Sequence, residues 1–328
     1  MTALLRPAPA ELFAGELPAL DVSLPPWPGR RVQVGAAALH VRATPYTGPS
    51  DREPEPALYV HGLGGASTNW TDLAAQLSPW LAGEALDLPG FGESGPARDD
   101  DYSMATMAST VIAYLDQSGR GPVHLFGNSM GGVISLLIAI RRPDLVRTLT
   151  LVSPAVPDLR PSRLRANPMP VLLVPGVGQL MMRRMAGISP AARTRETVRL
   201  CYGDPSRVPA HRMDEAVAEL TQRGSLPWSS DALLRSLRGL VGSYLSVGAR
   251  SLWTRMRAIT APTLIVWGDR DKLVDVALAP RVARQIPDAR LLVLSGVGHV
   301  AQMEDPVITA RAFLQLYTDS ASPASRSR

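Results

Sequence analysis

A chain of 328 residues, 45% apolar and 19% charged, can fill one large core carrying an insertion, or two domains, and is too apolar for a disordered polymer. Its most apolar central run, residues 171–182, is broken by Pro175 and two glycines and falls short of the ~20 residues a membrane-crossing helix needs, so it reads as buried or interfacial. The net charge of +5 is uneven: residues 154–260 hold sixteen arginines against seven acids, a local +9. With no lysine-rich runs and no pattern of aromatic residues interleaved with those arginines, no nucleic-acid partner is expected, and an anionic or interfacial substrate is favoured. The only lysine is Lys272, and the only cysteine, Cys201, cannot form an internal disulfide. Residues 1–20 carry acids and prolines where a signal peptide needs an apolar stretch, so a cytoplasmic location is the expectation.

Residues 1–30 are rich in proline and leucine without a sustained period, and read as an extension lying across the domain or as a loosely held arm. Residues 31–34 and 37–42 predict a hairpin about Gly35, followed by a loop over 44–56. Short apolar runs at 57–60, 84–88, 123–126, 149–152, 263–267 and 290–294 predict strands. Between them, residues 70–77, 104–115, 130–141 and 275–285 predict helices, as does 306–317 at the end, leaving 318–328 as a disordered tail. This alternation implies a mostly parallel sheet with helices on both faces. It stops over residues 154–260, where helical stretches at 193–200, 213–222 and 231–240 are separated by prolines, the pattern of a helical cap inserted between two strands. The core is then 31–153 with 261–317.

Four motifs follow strands. Gly127-Asn128-Ser129-Met130-Gly131 lies between a strand and a helix, where a serine at the tip of a tight turn is exposed on strained backbone and flanking glycines remove clashing Cβ atoms. His61-Gly62-Leu63-Gly64-Gly65 places a flexible turn beside it, so that the amides of Leu63 and Met130 form an oxyanion hole, while the His61 ring is assigned a structural role. Gly268-Asp269-Arg270-Asp271 offers two carboxylates; Asp271 is preferred as the orienting acid, and Asp269 as a turn residue. Ser295-Gly296-Val297-Gly298-His299 carries the candidate general base, His299.

The order Ser129, Asp271, His299, each after a strand, resembles the α/β-hydrolase superfamily over about residues 31–317, within the capped group that includes esterases, monoacylglycerol-lipase-like enzymes and carbon–carbon bond hydrolases. Asp87-Leu88-Pro89-Gly90-Phe91-Gly92-Glu93-Ser94 is similar to the family's D-x-x-G-x-G-x-S loop, and Gly298-His299 with Glu304-Asp305-Pro306 to its histidine loop. The resemblance implies attack of the serine on a carbonyl, a proton relay through the histidine, completion by water, and no metal or organic cofactor. Ser129 stands where haloalkane dehalogenases and epoxide hydrolases carry Asp, which argues against both. Leu63-Gly64-Gly65 stands where ring-cleavage-product hydrolases usually carry Gly-Pro-Gly, which counts against carbon–carbon cleavage. A carboxylic-ester hydrolase of short to medium acyl esters or monoacylglycerols is the main expectation; carbon–carbon cleavage, acyl transfer and a ligand-binding receptor on the same fold are the alternatives. Residues 171–185, apolar and then basic at Arg183 and Arg184, suit an apolar entrance with a positive rim for acyl chains or weak contact with lipid, or else the cap's own core and solvated face. Oligomeric state is left open.

Overall fold

The computed structural model describes residues 7–158, 172–174 and 176–321. The strands are β1 (Ala8–Pro9), β2 (Gly29–Val34), β3 (Ala37–Ala43), β4 (Glu55–Val60), β5 (Leu81–Leu86), β6 (Val123–Asn128), β7 (Val146–Val152), β8 (Thr263–Gly268) and β9 (Ala289–Leu294). They form one sheet in the order β1-β9-β8-β7-β6-β4-β5-β3-β2. β3 runs antiparallel to its neighbours β2 and β5, and every other pairing is parallel. The helices are α1 (Thr71–Leu77), α2 (Met104–Ser118), α3 (Met130–Arg141), α4 (Val177–Ala186), α5 (Pro190–Cys201), α6 (Ala210–Gly224), α7 (Ser229–Ser243), α8 (Leu252–Arg255), α9 (Ala279–Gln285), α10 (Ala301–Glu304) and α11 (Pro306–Ala321).

The two faces of the sheet are written in the period of two along each strand. On β4, Leu58 and Val60 join the core that holds Val111 and Ile134, from α2 and α3. Ala57 and Tyr59 join the opposite core with Leu73 of α1 and Phe313 of α11. β8 divides in the same way, Ile265 and Trp267 on one side and Leu264 and Val266 on the other. Local signals set the ends: the Ser103 side chain accepts the Thr106 amide to start α2, and Gly119, at φ 61°, ends it in the left-handed region.

Several elements differ from the sequence expectation. The strand expected at 84–88 is Leu81–Leu86, because residues 81–83 pair with 55–57 and the chain leaves the sheet at Asp87. The helix expected over 275–285 begins only at Ala279: Asp275 caps a separate turn, Val276–Leu278, by accepting the Ala277 amide. α11 continues to Ala321, so residues 318–321, expected in a disordered tail, are helical, with the Ser320 hydroxyl donating to the Leu316 carbonyl at 2.7 Å; residues 322–328 lie outside the described residues.

The N-terminal extension lies across the domain. β1 pairs with β9 through Ala8 and Arg290, Arg311 donates to the carbonyls of Phe13 (2.6 Å) and Gly15 (2.9 Å), Gln76 to that of Pro18 (3.1 Å), and His211 of α6 meets that of Val22 (2.5 Å). Arg42 closes the path by donating to the Trp27 carbonyl at 2.7 Å, just before β2.

Within residues 154–260 the described part is helical, α4 to α8, with no strand; residues 159–171 and Pro175 lie outside it. α6 is bound to the core by an Arg212–Asp72 ion pair of 2.6 Å onto α1. No helix among the described residues is long and apolar enough to cross a membrane.

Candidate active site

β4, β6, β8 and β9 run parallel, so the four motifs that follow them emerge at one end of the sheet, the end at which ligands bind in open α/β sheets. At its centre Ser129 has φ 54° and ψ −115°, a positive φ on a residue with a side chain and a strained conformation. The surrounding glycines are steric necessities. A Cβ on Gly131 would stand 2.2 Å from the Val60 carbonyl oxygen, one on Gly127 would stand 2.5 Å from the Gly131 oxygen, and one on Gly132 would stand 2.8 Å from the Pro154 Cβ. The elbow is therefore wedged between β4 and the strand end of β7, with the Ser129 amide bonded to the Val152 carbonyl at 3.0 Å.

His299 lies 4% exposed, and its Nδ1 is 2.8 Å from Asp271 Oδ2, a carboxylate whose side chain is out of solvent. The other oxygen of Asp271 accepts the amides of Leu273 (2.8 Å) and Val274 (2.9 Å), which fixes the carboxylate before it meets the ring. Asp269 points elsewhere: exposed, it accepts the Gly296 amide at 2.7 Å and the Ser295 hydroxyl at 3.1 Å, bracing the turn after β9. With Nδ1 protonated toward Asp271, the Nε2 of His299 is free to take a proton. Asn128, the residue before Ser129, donates from its side chain to the carbonyls of Val152 and His299, each at 3.1 Å, and so ties the histidine loop to the elbow.

The loop after β4 abuts the serine: a Cβ on Gly62 would be 3.1 Å from the Ser129 Cβ. Neither the Leu63 nor the Met130 amide donates to another described residue, and Met130 opens α3, where helix N–H groups lack internal partners. The His61 ring is a strut: Nδ1 meets the Gly62 carbonyl at 2.7 Å and Nε2 accepts the Leu88 amide at 2.9 Å. Full burial lowers its pKa and keeps it neutral, which suits one donating and one accepting nitrogen. Asp87 completes the support, accepting from the Ser67 amide (2.6 Å), the His40 ring (2.8 Å) and the Glu93 amide (3.0 Å). Burial alone would raise its pKa, but these bonds outweigh it and hold the carboxyl below the ordinary carboxylate value.

Some functional contacts were not visible in the sequence. The Glu304 carboxylate accepts three amides, from Gly298 (2.8 Å) in the histidine loop and from Gly203 (3.0 Å) and Asp204 (2.9 Å) just beyond α5. The His299 amide bonds to the Cys201 carbonyl at 2.6 Å, and Lys272, beside Asp271, donates to the Arg199 carbonyl at 2.7 Å. The C-terminal end of α5 is thus fastened to both the loop after β8 and the histidine loop. Burial, with the Asp271 charge adding to it, pushes the Cys201 thiol up to about 12 and keeps it protonated, so its link to the histidine loop is the carbonyl bond to the His299 amide. From α6, Arg223 donates to the Gly64 carbonyl and Glu219 accepts the Thr68 hydroxyl at 2.7 Å; burial lowers the pKa of the guanidinium and raises that of the carboxyl. The residue types gave a faint signal for Glu304 and Asn128, both inside the motifs read from the sequence, and none for the α5 carbonyls. A cleft of ≈ 680 Å³ elsewhere, lined by Asp100, Tyr102, Arg183 and Arg238 among others, includes none of the elbow, acid or histidine residues. Among the described residues no group of three or more His, Cys, Asp or Glu side chains is placed to hold a metal ion.

A family model for the alpha/beta hydrolase fold matches residues 56–306. The chain is 29% identical over 256 residues to the dihydrolipoyllysine-residue acetyltransferase component of the acetoin cleaving system from Cupriavidus necator, a match over 76% of this chain and 60% of that protein. It therefore spans only about three-fifths of the length of that relative and of its Pseudomonas putida counterpart, 60% in each case. To Lipase 1 of Psychrobacter immobilis it is 28% identical over 258 residues, 76% of this chain and 73% of the lipase. The crystal structure of a membrane phospholipase A superposes with a TM-score of 0.70 at 25% identity, covering 90% of this chain and 87% of that one. With the strand order, the serine elbow after β6 and a family match running from β4 into α11, the chain belongs to the α/β-hydrolase fold family.

Proposed function

We propose that the protein is a serine hydrolase of carboxylic esters, with Ser129 as nucleophile, His299 as general base and acid, Asp271 as the orienting carboxylate, and the Leu63 and Met130 amides as the oxyanion hole. The observation that carries the reading is the 2.8 Å bond from the His299 ring to a carboxylate already fixed by two amides, at the same sheet end as a strained serine. His299 Nε2 takes the Ser129 hydroxyl proton as the oxygen attacks the carbonyl carbon. Negative charge gathers on the former carbonyl oxygen, where two backbone amides offset it. Collapse breaks the ester C–O bond, and the leaving alkoxide takes the proton from His299. Water then repeats the sequence on the acyl-enzyme: His299 takes its proton, its oxygen attacks, and the proton returns to Ser129 as the acid leaves.

Short to medium acyl esters and monoacylglycerol-like molecules are the proposed substrates. The Psychrobacter lipase and the phospholipase support an acyl substrate, and the site as described needs no cofactor for these steps. The test is a series of p-nitrophenyl esters of increasing chain length on the full chain and on Ser129→Ala. Turnover should fall by about 10⁴-fold or more in the variant, and a fluorophosphonate should label only the parent. Equal turnover by both proteins would overturn the reading, and turnover of a vinylogous diketone with none of the esters would replace it with carbon–carbon cleavage.

A further inference from the structure

We propose that the outward face of α4 docks the cap on an anionic lipid surface. At 100° per residue, Val177, Leu180, Met181 and Arg184 share one stripe of the helix, and Gly178 and Met182 lie on the opposite side. The structure buries the second set and exposes the first: Gly178 and Met182 face the protein, whereas Val177 is 40% exposed, Leu180 50% and Met181 41%. The turn before adds Val174 at 49% and the residues after add Ile188 at 49%. Gly178 allows this orientation, since a Cβ there would stand 3.1 Å from the Leu234 side chain of α7. Five large apolar side chains facing water within fifteen residues are far more than scattered exposure, and a contiguous patch of this kind marks a contact surface. The alternative that this run is the cap's own core fails for these residues, because they point away from it.

Charge selects the occupant. α4 contains no acidic residue; Arg184 sits within the apolar stripe, and Arg183, on its flank, lines the ≈ 680 Å³ cleft that also holds Asp100, Asp101 and Asp231. The surrounding segment 154–260 carries sixteen arginines against seven acids. A second copy of the chain packed face to face would bring Arg184 against an apolar stripe that carries the same charge, with no acid to meet it. Phosphate headgroups supply the missing negative charge, and the acyl boundary beneath them receives the leucine, valine and methionine side chains. The placement also suits a lipid-derived substrate. α7 lies between α4 and the catalytic end of the sheet, with Leu233 3.5 Å from the Cβ position of Gly64 and Ala232 2.6 Å from that of Gly90. Docking through α4 therefore sets the roof of the site against the surface.

Docking does not depend on catalysis, so it is measured on the full chain carrying Ser129→Ala, by flotation with vesicles of phosphatidylcholine alone or mixed with phosphatidylglycerol. Binding to the mixed vesicles, weakened by salt, is the expected result. Leu180→Asp with Met181→Asp should abolish it, and Arg183→Ala with Arg184→Ala should lower the partition coefficient about thirtyfold, two basic residues each near a charged surface. Both variants should melt at the parent temperature, since none of the four side chains is in the core. The proposal is overturned if the mixed vesicles are not bound or if the aspartate variant binds them as well as the parent. It is overturned equally if the parent sediments as a dimer that the aspartate variant makes monomeric, for a second copy would then cover the face.

Discussion

The Glu304 carboxylate joins two loops far apart in the chain by accepting three backbone amides, so its removal leaves three donors without their shared acceptor in a buried place. Glu304→Ala is expected to lower kcat for a p-nitrophenyl ester by about a hundredfold with little change in KM, because it loosens the loop that carries His299 but touches no substrate. Glu304→Gln retains one acceptor oxygen and turns an amide group toward an N–H, and its kcat should fall between the two. Steady-state kinetics of the three proteins check this; an unchanged kcat in the alanine variant would show that Asn128 and the Cys201 carbonyl hold His299 without it. At this scale the motifs pointed to side chains that the structure brings to one end of the sheet. Asp271 is the carboxylate on His299 and Asp269 braces a turn, a distinction that spacing alone can suggest and the 2.8 Å contact decides. The partners of Glu304 were invisible because they are main-chain amides, which every residue possesses.

Elements were legible where a side-chain period exposes them, and less so at their ends. The period of two on β4 and β8 and the glycine-rich turns placed the sheet, whereas the start of β5 lay in Leu81-Ala82-Gly83, whose composition does not mark a strand. Residues 154–260 suggested three helices from composition, and their extents were underestimated: α5, α6 and α7 reach Pro190–Cys201, Ala210–Gly224 and Ser229–Ser243, since residues just outside the apolar spacing still continue the helix. The elbow offers a direct test of why its glycines exist. A methyl on Gly131 would sit 2.2 Å from one backbone oxygen and 2.5 Å from another, neither able to swing away. Gly131→Ala should therefore destabilise the fold by about 3 kcal/mol or more and lower Tm by about 6–12 °C. Gly35, at φ +56° but with open space around it, isolates the backbone contribution: Gly35→Ala should cost only about 1 kcal/mol. Thermal melts of the two variants compare steric and conformational cost within one protein, and similar losses would show that the elbow yields.

The whole molecule is held together by contacts that cross from one part to another. The N-terminal strap runs from β9 past α11 and α1 to α6, the Arg212–Asp72 pair joins α6 to α1, and the Cys201 carbonyl joins the end of α5 to His299. A course across the domain was one of two readings of residues 1–30, but none of these partners was readable beforehand, because proline-rich and arginine-rich stretches carry no periodic signal of what they lie against. Near the opposite end of the sheet from the site, Glu55 at the start of β4 gathers β6, β7 and α11: it meets the His124 ring at 3.0 Å, accepts the Tyr317 hydroxyl at 2.8 Å and pairs with Arg147. The bond from His124 lowers the Glu55 pKa most, burial opposes it, and Tyr317 and Arg147 add to the lowering, so the folded carboxyl titrates at about 2 against 4.5 for the free group. Its contribution is complete above about pH 4.5, where both states are ionised, and is lost as the pH falls toward 2, because the unfolded chain takes up the proton first. His124 acts in the same direction: burial lowers its pKa below 6.5, so acid protonates the unfolded chain before the folded one. Glu55→Gln should accordingly reduce stability by up to about 3 kcal/mol at neutral pH. The gap between variant and parent should narrow by about 1 kcal/mol between pH 5.5 and 3.5. Urea unfolding of the two proteins across that range measures it directly. A gap that stays constant with pH would place the Glu55 contribution in packing and hydrogen bonding, with no part for its charge.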